Sequence, residues 1–189
     1  MTRHVASLEE LVVLIEARRS PRPFVVAIAG RGGAGKSTLA HQLAVRLPDS
    51  AVVPLDDFLL KEAILAPRVE DHYDLARVER EVLIGFTQGL PFNYRRLDWM
   101  SGSLVPIDGI IDSTLILLEG VCAFEPPLDA YVDLRVWVET PVELATQRGR
   151  ARDAGTENES HWGVWQIQDT DFLERAKPHV RADVIMRGD

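Results

Sequence analysis

Phe24-Val25-Val26-Ala27-Ile28-Ala29-Gly30-Arg31-Gly32-Gly33-Ala34-Gly35-Lys36-Ser37-Thr38 is the stretch whose reading decides the fold of this chain. Six apolar residues suited to a strand buried on both faces run straight into G-x-x-x-x-G-K-[ST]. A helical stretch from about Lys36 to Leu47 follows, and Pro48 stops it. Strand, glycine loop and helix in that order form a phosphate cradle. Gly30, Gly32, Gly33, Ala34 and Gly35 let successive backbone N–H groups turn inward, and the helix start, through Thr38, adds the positive end of its dipole. Lys36 reaches β- and γ-phosphates, and the Ser37 hydroxyl is placed to hold Mg²⁺. The four fixed positions recur by chance in on the order of one chain in a few hundred. A nucleoside triphosphate site is therefore the reading to build on.

Working outward, Ser7 and Glu10 form a capping box for an amphipathic leading helix over 7–20, which Pro21 and Pro23 end. Beyond the loop, residues 51–55 read as a second strand that ends at Asp56-Asp57-Phe58. An irregular stretch carrying Glu70-Asp71-His72-Tyr73-Asp74 precedes a helix over 75–88, closed by Gly89 and Pro91. Val105-Pro106-Ile107 suits a short edge strand, where proline is tolerated. Residues 115–118 and 134–138 are further apolar strands, the first running into Glu119-Gly120. A helix follows Pro141, another covers 162–176, and 183–186 is a last strand. Strands alternating with helices predict a three-layer α/β fold with a mainly parallel sheet of about five strands, helices on both faces, and one domain over 1–189.

Composition narrows the function classes. With 189 residues, 46% of them hydrophobic, the chain can bury a proper core. The net charge of −8 leaves no general basic footprint for nucleic acid or an anionic membrane. Cys122 is the single cysteine, which excludes an internal disulfide framework and suits a reducing compartment. No signal-peptide pattern opens the sequence and no run approaches the ~20 apolar residues of a membrane span, so a cytoplasmic protein is expected. Self-association into a homo-oligomer stays open.

Phosphoryl transfer from ATP to a hydroxyl needs a cradle, a bridging cation, a base for the acceptor and positive charge on the transferring group. Asp56 and Glu119 both follow apolar strands, so both open onto the crevice where α/β sheets bind ligands. Asp56 is assigned as base and Glu119 to the metal. Arg148 and Arg152 lie four apart on one helix face, and a lid over about 148–160 would bring both guanidinium groups to the triphosphate. A solvated basic helix gives the same spacing. Tyr94, Arg96 and Asp98 form a polar, ring-bearing surface suited to an acceptor, or equally the stem of an exposed hairpin. Trp137 reads as packing, Trp162 and Trp165 as the buried stripe of a helix, Cys122 as a small buried hydrophobe, and His72 as a solvated loop residue.

Together, Gly30 to Thr38, Asp56-Asp57-Phe58, Asp71-His72, Tyr94-x-x-x-Asp98, Leu118-Glu119-Gly120, Arg148-x-x-x-Arg152-Asp153 and Ala182-Asp183-Val184-Ile185 resemble the uridine kinase-like branch of P-loop kinases. That branch includes relatives of phosphoribulokinase and bacterial pantothenate kinase. The resemblance implies an ATP:hydroxyl phosphotransferase with Asp56 as base, Ser37 and Glu119 at Mg²⁺, Arg148 and Arg152 in a mobile lid, and Asp71 at the acceptor's hydroxyls. Its acceptor would be a small nucleoside- or sugar-like metabolite, with pantothenate-type alcohols as the alternative. The sequence departs from uridine kinases where Leu97 replaces the tyrosine before Asp98 and no histidine falls between His72 and His161. A regulatory ATPase or nucleotide switch acting on a protein partner is the rival class. A GTPase switch is excluded, since the chain lacks Asp-x-x-Gly and Asn-Lys-x-Asp.

Overall fold

The computed structural model describes residues 2–19 and 22–188. Six parallel strands form one sheet in the order β1 (Arg3–Val5), β8 (Val184–Arg187), β7 (Leu134–Glu139), β2 (Phe24–Ala29), β6 (Leu115–Glu119) and β3 (Ser50–Pro54). The expected α/β architecture is present, with a sixth strand that the sequence reading lacked. β1 is only three residues long and buries Val5 alone, so its identity comes from pairing with β8. The apolar run of β2 is buried at all six positions because both its faces are covered. Alternation with period two divides it: Val25, Ala27 and Ala29 enter one core, while Phe24, Val26 and Ile28 enter the other. β6 divides in the same way, Ile116 and Leu118 against Leu115 and Leu117.

Helices α1 (Leu8–Arg18) and α2 (Lys36–Arg46) cover one face through Leu11, Ile15, Leu39 and Leu43. Ser7 caps α1 by accepting from the Glu10 N–H, as the capping box requires. The end of the expected helix at Ser20, with Pro21, lies outside the described residues. On the other face sits a helix running as α3 (Leu75–Val78), a π-helical middle (Glu79–Leu83) and α4 (Ile84–Thr87), which contributes Val78, Val82 and Phe86 to the core. A hairpin of β4 (Arg95–Leu97) and β5 (Leu104–Pro106) lies apart from the main sheet. Arg77 ties it down from below: the buried guanidinium donates to the carbonyls of Arg95 and Asp57 and lies 4.4 Å from the centroid of the Phe58 ring.

The chain then runs through α5 (Val142–Asp153), α6 (Trp162–Ala176) and α7 (Pro178–Arg181) back to the sheet. α6 clamps the irregular 61–72 segment. The Trp165 indole donates to the Ile64 carbonyl at 3.1 Å, Gln168 to the Ala66 carbonyl at 2.7 Å, and Arg175 makes a two-pronged pair with Glu70 at 2.6 and 3.0 Å. Among the described residues no helix is long and apolar enough to cross a membrane.

Burial alone would push the Glu70 carboxyl up, but hydrogen bonds from Arg175 and Arg68 outweigh it and hold the group at about 2. A carboxyl depressed in the folded chain stabilises above its unfolded value and loses that contribution as pH falls through the folded one. Glu70→Gln is therefore expected to lower the melting temperature at pH 7 by about 2 °C, the pair being partly screened by water. The gap between variant and wild type should close as pH falls from 5 toward 2 in melts read by circular dichroism, and a gap constant with pH would contradict the assignment.

Candidate active site

β2 is the switch point of the sheet, since the chain leaves it toward β3 on one side and later returns to β7 on the other. The glycine loop emerges there. Glu119, the last residue of β6, pairs in register with Ile28 of β2 and with Pro54 of β3. The strand expected to reach residue 55 ends at Pro54, and Leu55–Phe58 forms a short 3-10 turn that carries Asp56. The loop, Glu119 and Asp56 therefore leave three neighbouring strands at one level.

They meet in a cavity of about 140 Å³ whose wall includes Gly32, Gly33, Lys36, Ser37, Asp56, Glu119 and Arg152. The Ser37 hydroxyl donates to Glu119 Oε1 at 2.9 Å, and the Lys36 ammonium donates to the Arg31 carbonyl at 2.9 Å. Glu119 is 5% exposed. Burial pushes its carboxyl up, a push strengthened by Asp56 and opposed by Lys36 and Ser37. A second, more open cleft on the other side of the loop is lined by Gly35, Thr38, Arg148, Gly149 and Arg152. Arg152 borders both cavities and is oriented by a two-pronged pair with Asp153 at 2.8 and 3.0 Å, whereas Arg148 donates to the Gly188 carbonyl at 3.2 Å.

These residues fit a triphosphate with a divalent cation. Gly35, at φ +99°, faces open space, so the loop is uncovered at that position. Among the described residues no three His, Cys, Asp or Glu side chains cluster as a ready metal site. A cation held by Ser37 and Glu119 would complete its shell with water and phosphate oxygens, as Mg²⁺ ordinarily does.

The acceptor residues expected from sequence lie elsewhere. Asp71, Tyr94, Arg96 and Asp98 do not line the main cavity. Tyr94 is buried, stacked on Phe58 at 5.0 Å between ring centroids, and its hydroxyl donates to Asp57 at 2.8 Å. Asp98 caps its own turn by accepting from the Met100 N–H and the Ser101 hydroxyl. Arg96 belongs to the exposed hairpin stem, and Asp71 is exposed within the clamped segment.

Other residues build the wall instead, namely Tyr73, His72, Trp99, Trp162, Trp165 and Asp169. His72 is buried, contrary to the solvated reading, and its Nε2 meets the Ala66 carbonyl at 2.9 Å. Trp162 and Trp165 do form one helical face, 5.7 Å apart edge to face, but that face lines the cavity. Trp162 fits against α5 only because residue 149 is glycine: a Cβ there would overlap the indole. Its Nε1 donates to Asp153 at 2.8 Å, so the same carboxylate steadies Trp162 and Arg152. Trp137 packs as expected, and Cys122 is buried, with burial pushing its thiol up.

The architecture is that of P-loop kinases. The chain resembles the uridine kinase-like branch of that fold in sequence and in structure. It is 26% identical over 184 residues to the uridine kinase of Ureaplasma parvum, covering 86% of this chain and 88% of that protein. It is 26% identical over 152 residues to uridine-cytidine kinase C of Dictyostelium discoideum, covering 78% of this chain but only 34%, about a third, of that longer protein. A solved structure of a candidate uridine kinase from Bacillus stearothermophilus superposes with a TM-score of 0.73 at 19% identity, covering 95% of this chain and 96% of that one. No protein-family model matches the chain.

Gly149→Ala is expected to displace Trp162 and, as an overpacking change, to cost about 1–3 kcal/mol in denaturant unfolding. A variant as stable as wild type would mean that α5 and α6 do not pack through this contact.

Proposed function

We propose that the chain is one Mg²⁺-ATP-dependent kinase domain that transfers the γ-phosphoryl group to a hydroxyl of a small nucleoside- or sugar-like metabolite. The observation that carries this reading is the convergence of Asp56 and the Ser37–Glu119 pair beside the glycine loop, in the wall of a cavity large enough to admit a small alcohol's reacting end. A regulatory ATPase has no need of a cavity beside the glycine loop with a free carboxylate in its wall. The likeness to uridine kinases in sequence supports a small-metabolite acceptor.

Bound Mg²⁺-ATP supplies the transferable phosphoryl group and part of the charge neutralisation. The loop N–H groups and Lys36 hold the phosphates, and Lys36 exchanges its present bond to the Arg31 carbonyl for phosphate oxygens. Ser37 and Glu119 hold the cation. Asp56 takes the proton of the acceptor hydroxyl as that oxygen bonds to phosphorus and the bond to the leaving ADP oxygen breaks. Arg152, on the border between the two cavities, stabilises charge on the transferring group. Arg148 serves from the nucleotide cleft, and residues of about 148–160 act as the lid that excludes water.

Asp56→Asn should lower transfer by about 10²- to 10⁴-fold, the usual contribution of a general base, with nucleotide affinity changed less than about threefold. ADP release against a panel of nucleosides, sugars and other alcohols measures the first, and calorimetric titration with Mg²⁺-ADP the second. Wild-type transfer by this variant would remove Asp56 from the role. Lys36→Ala should weaken nucleotide binding or slow transfer, and unchanged turnover there would discredit the site as a whole.

A further inference from the structure

The main cavity is asymmetric in charge. Its two cations, Lys36 and Arg152, both lie against the glycine loop, where phosphate is to sit. Away from these cations the lining includes Leu59, Ile64, Val69, Trp99, Val121 and Trp165 and, the His72 imidazole apart, carries no basic side chain. Asp169 stands between the two halves. It projects from the middle of α6, and its Oδ2 accepts from the Gly32 N–H at 2.8 Å. A Cβ on Gly32 would lie 3.4 Å from that oxygen, so the carboxylate is seated directly on the crown of the loop. Among the described residues its other oxygen makes no hydrogen bond, and it is not among the side-chain atoms sealed from the cavity without a partner. Asp169 thus shows one oxygen to the acceptor half while the other is fixed to the phosphate loop.

An anionic group on the acceptor would have to shed water in this part of the cavity, facing a fixed carboxylate and aromatic or aliphatic side chains, with no Lys or Arg as counter-ion and with His72 already engaged by the Ala66 carbonyl. A hydroxyl or an ammonium would meet a free acceptor oxygen and, for a cation, indole faces as well. We propose that Asp169 is a specificity-determining residue that makes the site select neutral or cationic alcohols and reject those bearing a carboxylate. This rests on the kinase reading and narrows its acceptor class. Asp169 rejects by like charge and by offering only acceptors. The Asn side chain keeps its shape and its bond to Gly32 while removing the charge.

Matched pairs that differ by a carboxylate test it: uridine against orotidine, and pantothenol against pantothenate. Specificity constants come from ADP release with Mg²⁺-ATP, and binding from thermal stabilisation in the presence of Mg²⁺-ADP. Wild type should favour the neutral member of a pair by at least about 100-fold in kcat/KM, or by a clearly larger thermal shift where a pair is bound without being phosphorylated. Asp169→Asn should narrow that preference at least tenfold. Ile64→Lys, which places a cation on a partly exposed turn of the same wall, should narrow it as well, and decides alone if the Asp169 variant does not fold. Equal response to both members of each pair in wild type, including no response to any of the four, overturns the proposal. So does a preference that neither variant changes. Failure of the kinase reading shows itself separately, as nucleotide turnover that no alcohol of the wider panel stimulates and that Lys36→Ala leaves unchanged.

Discussion

The register of three parallel strands is the constraint on which the site depends. Glu119 is opposite Ile28 on one side and Pro54 on the other, so slipping β6 by one residue would carry its carboxylate away from both the glycine loop and Asp56. That same slip would turn Leu115 and Leu117 out of one core and into the other. Two hydrophobic layers, each demanding alternate residues of the same strands, therefore hold an alignment of the candidate site that no side-chain contact could hold alone. The phosphate cradle is central to the sheet for the same reason: only a strand with neighbours on both sides has its end fixed so firmly.

Around this frame the chain gathers carboxylates that burial makes costly. Glu119 is offset by Ser37 and Lys36, and Asp169 by the Gly32 N–H with Lys36 and Arg31 nearby. Desolvation still prevails in both, pushing their carboxyls up. A folded chain would not ordinarily accumulate such groups without return. On the proposed kinase reading the return is chemical, since a cation and phosphate would bring the charges that complete the set. The second support is mechanical. α6 closes the cavity by fastening the 61–72 segment with two side-chain bonds to carbonyls and the Glu70–Arg175 pair, and α5 is keyed to α6 through Trp162 seated on Gly149.

Much of this is legible in the residues. The apolar run 24–29 betrays a strand covered on both faces, the glycine spacing betrays the cradle, and the ends of apolar strands mark Asp56 and Glu119. What is missed shares one cause. Asp169 lies mid-helix with no local pattern to mark it, and its partner Gly32 is distant in the chain. Spacing showed that Trp162 and Trp165 share a face but not what the face looks onto. Tyr94 has the chemistry of a ligand residue, yet Phe58 and Asp57, supplied by the turn after β3, claim its ring and its hydroxyl. β1 has no periodicity to read, because three residues become a strand only when β8 arrives beside them.

Three of the four tryptophans, Trp99, Trp162 and Trp165, line the main cavity, while the fourth, Trp137, is packed into the sheet beside Glu139. The intrinsic emission of the protein is thus weighted toward the one place where ligands are expected. Nucleotide and acceptor occupancy can be followed by quenching or spectral shift in the unlabelled chain, with Trp137 outside the main cavity.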